Sequence, residues 1–275
     1  MNNLLCSVSF GLSSVATAIH IMTNPKYRNY NILYAFANTS KELEETLRFG
    51  HEVSKDIPIT WIEGTYPMIK GKGIGYKIIS FENAKRNGEV FKAMIKKANI
   101  PTKSGNKVGL PNVATPYCSD RLKKIPLHKL AKDYFKGEPY KTAIGFRKED
   151  VEVSRRITYA EIRASEKYIY PLITDFKQPL SQKEVKEVVN SCGYYLQIPS
   201  KYGNCDGCFK RSKRKQIEMI RNGVLNTEWW RQQEVEFNDF WYRGNASILD
   251  LIKNSKEPRT LELFDDYGEA CLCGT

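Results

Sequence analysis

Two short stretches of the chain carry residue types and spacings that could do chemistry. The first is Ser9-Phe10-Gly11-Leu12-Ser13-Ser14, placed between an apolar run and a segment of helical periodicity. Hydroxyl donors, a glycine free to take φ > 0 and the start of a helix together suit phosphate oxygens. An ordinary strand-to-helix turn with a serine N-cap has the same composition, so the loop alone does not decide. It is neither a Walker A sequence nor a dinucleotide fingerprint. Gly71-Lys72-Gly73-Ile74-Gly75 opens no helix and reads as a loop.

The second stretch is Cys205-Asp206-Gly207-Cys208, a spacing that lets two thiolates converge on one metal or cluster. Cys271 and Cys273 form a second close pair, and Cys118 stands at an expected helix start. Cys118, Cys205 and Cys208 with either Cys271 or Cys273 could make a four-ligand site. All-cysteine ligation suits an iron–sulfur cluster or structural zinc. A redox dithiol and unbonded thiols remain open beside it. His20, His51 and His128 are too scattered for a Cys/His finger. Cys6 and Cys192 read as small buried hydrophobes.

The elements that must position these residues follow from periodicity. Strands are expected at about Leu4–Phe10, Ile32–Phe36, Ile59–Ile62 and Lys141–Phe146, with a short extra strand at Tyr76–Ser80. Helices are expected from about Ser13, then over Glu82–Lys97 and Pro126–Phe135. Another follows Ser40, which would cap it ahead of Leu43, Leu47 and Phe49. Repeated strand–helix units with short links imply a doubly wound, mostly parallel α/β sheet of Rossmann-like type. After about Pro179 the pattern turns helical, at Gln182–Asn190, Lys210–Arg221 and Glu228–Phe240, with a capping box at Ser181 and Glu184. This divides the chain into a nucleotide-binding α/β part, 1–178, and a helical, cysteine-bearing part, 179–275.

Composition narrows the class. Apolar residues make up 41% of 275, enough for a packed core, and the net charge of +12 favours polyanionic partners. Lys210, Arg211, Lys213, Arg214 and Lys215 follow the C-x-x-C. They read equally as a nucleic-acid contact or a solvated face. The aromatics Trp229, Trp230 and Trp241 read as packing of the helical part onto the core. No apolar run reaches the ~18 residues of a membrane helix. The N-terminus lacks a signal-peptide pattern, and the seven cysteines are an odd number for a disulfide framework. A cytoplasmic protein is expected.

Further segments, in order, resemble the phosphoadenosine phosphosulfate (PAPS) reductase family within the ATP-pyrophosphatase (PP-loop) group. They include Phe36-Ala37-Asn38-Thr39-Ser40-Lys41-Glu42, Leu110-Pro111-Asn112 and Tyr117-Cys118-Ser119-Asp120-Arg121-Leu122-Lys123. Ile144-Gly145-Phe146-Arg147, Tyr170-Pro171-Leu172 and Gly203-Asn204-Cys205-Asp206-Gly207-Cys208 continue the series. The resemblance covers nearly the whole chain, and the Cys-Leu-Cys-Gly segment at 271–274 fits a branch common among phage and bacterial members. It implies a fold of the adenine-nucleotide α-hydrolase type in a bacterial or phage-infected cytoplasm. On it, Ser9, Gly11, Ser13 and Ser14 hold the phosphates of ATP or a PAPS-like nucleotide, with Mg2+ as an accompanying ion. Asn38 and Thr39 face the adenosine side, and Lys123 and Arg147 supply positive charge at the leaving group.

The same resemblance implies a [4Fe-4S] cluster, with zinc as the alternative. It gives three readings of function. One is action at an α-phosphate linked to sulfur chemistry, with nucleic acid as an acceptor. Another is reduction of a sulfonucleotide by the thiolate of Cys273 or Cys271. The third is a degenerate module that sequesters a nucleotide. A homo-oligomer is left open, and no membrane partner is expected. Two positions depart from the family pattern. Phe10 stands at a loop glycine and would narrow the site, and Ser13 replaces an Asp or Thr that helps place a metal–phosphate complex.

Overall fold

A computed structural model describes residues 2–69, 71–101, 108–198, 202–203, 205–241 and 246–257. The first unit runs β1 (Asn2–Ser7), α1 (Leu12–Thr23), β2 (Tyr30–Asn38), α2 (Glu44–Val53), β3 (Ile59–Thr65) and β4 (Gly75–Ile79). Next come α3 (Glu89–Ala98), a π-helical turn at Asp120–Lys124 that runs into α4 (Ile125–Tyr134), and β5 (Tyr140–Ala143). After these lie α5 (Lys148–Glu152), α6 (Tyr159–Ala164), β6 (Tyr168–Ile169) and α7 (Pro171–Thr174). The remaining helices are α8 (Gln182–Ser191), α9 (Lys213–Arg221), α10 (Thr227–Phe237) and α11 (Ile248–Lys256).

The strands form one sheet in the order β4-β3-β2-β1-β5-β6, parallel except for β4. Central strands of such a sheet are covered on both faces and so read as apolar runs. In β1, Leu4 and Cys6 pack with Phe36, Val15, Leu47 and Val185 on one side. Leu5 packs on the other with Ala35, Ala37, Leu127 and Leu130. The period-2 alternation of side chains thus sends neighbouring residues of β1 into two separate cores. α8 lies on α1, whereas α9–α11 share an aromatic core with α3 and Leu122. The mostly parallel α/β sheet expected from periodicity is what forms.

Several boundaries differ from expectation. β1 ends at Ser7, before the loop. Ser40 does not cap α2, whose N-cap is Leu43. It takes φ +63° and its Oγ accepts from Val90 N at 2.9 Å, so it caps α3, fifty residues along the chain. Gly88, at φ +82°, donates its N–H to Ser40 O and forms the N-cap of α3, which is why that helix starts at Glu89 and not Glu82. Short-range sequence signals identify a cap but not the helix it serves.

Candidate functional site

The chain proceeds from β1 to β2 and β3 on one side of the sheet, and from β5 to β6 on the other. The loops leaving the carboxyl ends of β1 and β5 therefore diverge, which opens a crevice between them. A cavity of about 220 Å3 lies there. Ser9, Gly11, Ser13 and Ser14 line one wall, and Lys123, Lys124 and His128 line another. Gly145, Arg147 and Arg156 complete it from the β5 side.

The loop is locked from within. Ser14 Oγ accepts from Ser9 N at 3.0 Å and donates to Gly11 O at 2.9 Å. Gly11 at the N-cap of α1 offers no side-chain cap, and the helix start faces the cavity. Phe10 does not narrow the cavity. At φ +56° its ring turns away into the core, 4.3 Å from Phe36 and 4.9 Å from Trp61 by ring centroid. A Cβ on Gly50 would lie 2.3 Å from Phe10 Cδ2, so Gly50 makes room for the ring. A left-handed φ costs an L-residue roughly 1–2 kcal/mol. Burying the phenyl ring stabilises by roughly 1.5–3 kcal/mol, which offsets that strain. Gly145 permits a second close approach: a Cβ there would sit 2.8 Å from Ser13 O.

The cations are held in place. Asp150, 2% exposed, accepts from Arg147 N at 2.9 Å and from Arg156 Nη1 at 2.8 Å. The Arg156 guanidinium also lies 4.6 Å over the Phe146 ring. Arg156 and Asp150 were not singled out from sequence. Their pairing joins residues six apart across the end of α5, which no local motif marks. Lys123 projects from the π-helical turn, a geometry frequent at functional sites.

Asn38 and Thr39 are not brought to this cavity. Asn38 is fully buried, with Nδ2 donating to Glu63 Oε1 and Lys85 O, both at 2.8 Å. Thr39 lines a second, smaller cavity of about 40 Å3, together with Cys118, Cys205, Cys208, Lys123 and Trp230. Cys118 and the distant C-x-x-C pair thus face one space. Lys123 lines both cavities, so the two adjoin.

The C-x-x-C loop is fastened to the end of β2. Asp206 N donates to Lys41 O at 2.6 Å, and Glu42 and Cys205 form an antiparallel bridge. Lys41 Nζ lies 2.7 Å from Asp206 Oδ2 and 4.4 Å over the Trp229 ring, with both side chains buried. Gly207 takes φ +66°, and a Cβ there would sit 2.2 Å from Trp230 Nε1. Burial pushes the Cys118 thiol pKa up, against the opposing charges of Lys210 and Lys123.

Cys271 and Cys273 lie outside the described residues. Among the described residues no three of His, Cys, Asp and Glu are grouped as a metal site. Cys118, Cys205 and Cys208 share the lining of one cavity without being set as a ligand group there. A protein-held Mg2+ does not fit the loop cavity. Its one carboxylate among the described lining residues is Asp150, with both oxygens engaged by Arg147 and Arg156.

Cys192 is exposed, not buried as expected, whereas Cys6 is buried. Trp229, Trp230 and Trp241 pack into the aromatic core as expected. The basic run splits. Lys213 and Arg214 are exposed, while Arg211 is buried and donates from Nη1 to Met219 Sδ at 3.3 Å. No helix among the described residues is long and apolar enough to cross a membrane.

No family model matches the chain. It is similar to the uncharacterized nin region protein ORF290 of Escherichia phage lambda, 28% identical over 276 residues, covering 96% of this chain and 89% of that one. Among solved structures, a PAPS reductase from Candida auris in a phosphate complex aligns with a TM-score of 0.39 and 16% identity. That alignment covers 71% of this chain and 75% of the other. A likeness at that level carries no functional argument.

Proposed function

We propose that this chain is a nucleotide-binding enzyme of the PAPS-reductase type that acts at the α-phosphate of ATP or a related adenine nucleotide and couples this to sulfur chemistry. The observation that carries the reading is the adjacency of the two cavities through Lys123. One is lined by hydroxyls, a helix start and cations, and the other by three cysteines. In the first, Ser9, Ser13 and the opening turn of α1 would hold phosphate oxygens, with Gly11 allowing close approach. Lys123, Arg147 and Arg156 would stabilise charge developing on the α-phosphate and the leaving group. These cations, and not a carboxylate-held Mg2+, would balance the phosphates.

In the second cavity, Cys118, Cys205 and Cys208 with Cys271 or Cys273 would hold a [4Fe-4S] cluster or zinc. Such a group supplies a site at which sulfur binds or is activated. The exposed Lys213 and Arg214 and the +12 charge favour a nucleic acid as acceptor. Similarity to a phage protein supports an infected bacterial cell as the setting.

Calorimetric titration of the anaerobically purified chain with ATP, with and without EDTA, tests this reading. Binding that survives EDTA is expected, with Lys123→Met and Arg147→Met each weakening it by about 10-fold, as for loss of one charge-assisted bond. A folded protein that binds no adenine nucleotide would refute the reading. Production of AMP after reconstitution with iron and sulfide would separate an enzyme from a sequestering module.

A further inference from the structure

The boundary between the two cavities is held by a carboxylate that lines neither. Glu42 has a fully buried side chain. Burying a carboxylate is costly, and an apolar residue of similar size would fill the space without that cost. The surroundings show what the charge does. Oε2 accepts from Thr39 N at 3.0 Å and from Thr39 Oγ1 at 2.6 Å, which fixes the carboxylate against the end of β2. Oε1 lies 3.7 Å from Lys123 Nζ and 3.8 Å from Cys205 Sγ. The same residue therefore bridges to the C-x-x-C loop through its backbone and reaches Lys123 through its side chain.

Lys123 is a side chain that such an anchor can orient. Its amine ends a flexible stem and is a point charge with no planar fork to orient it. Yet its side chain is only 16% exposed, and it stands where the two cavities meet. We propose that Glu42 is a positioning residue. Its carboxylate, clamped by Thr39, holds the Lys123 amine at the boundary, so that a phosphate in the loop cavity meets a cation already aimed beside the cysteines. The phosphate part of this proposal rests on the nucleotide reading above, and the anchoring part does not.

The full-length chain tests both parts. Without nucleotide, acetylation by an amine-reactive ester followed by mass spectrometry reads how tightly Lys123 is held. Glu42→Gln keeps the volume and an acceptor for Thr39 but removes the charge. It is expected to raise Lys123 labelling several-fold while other lysines stay unchanged. Thr39→Val, which removes one clamp and leaves the carboxylate, should give a smaller rise in the same direction. Unchanged Lys123 labelling in both variants would overturn the proposal, whatever the nucleotide result.

With ATP, a double-mutant cycle separates positioning from plain charge. Glu42→Gln should weaken binding by about 5- to 10-fold in the wild-type background and by less than about 2-fold beside Lys123→Met, the non-additivity expected of contacting residues. If Glu42 acts only as a nearby negative charge, its removal tightens ATP binding in both backgrounds, and the proposal falls. Equal weakening in both backgrounds marks a scaffold role and also overturns it. If the folded wild-type chain binds no ATP, the nucleotide reading fails, while the labelling still decides whether Glu42 anchors Lys123.

Discussion

The loop cavity and the cysteine cavity share one lysine but are built in opposite ways. The loop cavity centres on strand ends. Ser9, Gly11, Ser13 and Ser14 follow β1 and Gly145 follows β5, while the π-helical turn, α4, Gln182, Leu196, Ile198 and Gly203 close it. The cysteine cavity is assembled from the end of β2, the π-helical turn, the 205–209 loop and α10, which only tertiary packing brings together. The first can therefore tolerate local changes that leave the strand ends in place. The second depends on a few buried latches, chiefly Lys41–Asp206 with Trp229 and Trp230.

This contrast can be broken most sharply at the latch. Lys41→Met would leave Asp206 as an uncompensated buried charge, a loss of about 3–5 kcal/mol by chemical denaturation. A loss below ~1 kcal/mol would show that surface-type ion pairing is all the latch provides. Next in size is Phe10→Ala, expected to cost about 3 kcal/mol through the cavity left between Phe36 and Trp61. Phe10→Gly should lose ~1 kcal/mol less, because glycine sheds the strain of the left-handed φ. In both variants the folded fraction should keep ATP affinity within about 3-fold, since the ring faces away from the loop cavity. A large affinity loss would place Phe10 in the site after all.

Gly145→Ala probes the loop cavity in turn. A methyl group driven against Ser13 O must separate the β5 exit from the start of α1. A fall in ATP affinity of about 10-fold is expected, with a loss of stability of about 1–3 kcal/mol from the overpacking. The smallest effect is one of rate. Among the described cysteines, exposed Cys192 should alkylate first with iodoacetamide. Cys118, with its thiol pKa raised by burial, should react slowly at neutral pH and faster as pH rises. Cys6, also raised by burial, should react only on unfolding. Mass-spectrometric timing of each modified peptide checks the order.

The same contrast explains what was legible in the sequence. Apolar runs and turn residues gave the parallel strands and the serine loop, because both are set by neighbours in the chain. The roles of Ser40 and Asn38 were not legible, because their partners are Val90 and Glu63 with Lys85, and Thr39, whose partner Glu42 is local, meets the cysteine cavity only through tertiary packing. Phe10 was misread for a related reason. Its position in the loop is local, but the ring's direction is fixed by a positive φ and by the space at Gly50. Cys118, Cys205 and Cys208 could be grouped by residue type, while Glu42 and the place of Lys123 on both cavities emerge only from packing.

Whether phosphate binds beside Lys123, at the boundary of the cysteine cavity, is decided by a crystal structure of the chain with bound ATP or adenosine 3′,5′-bisphosphate. A phosphate is expected within hydrogen-bonding distance of Ser9 or Ser13, the first-turn N–H groups of α1 and Lys123 Nζ. A nucleotide bound elsewhere, with the loop cavity holding only solvent, would contradict it.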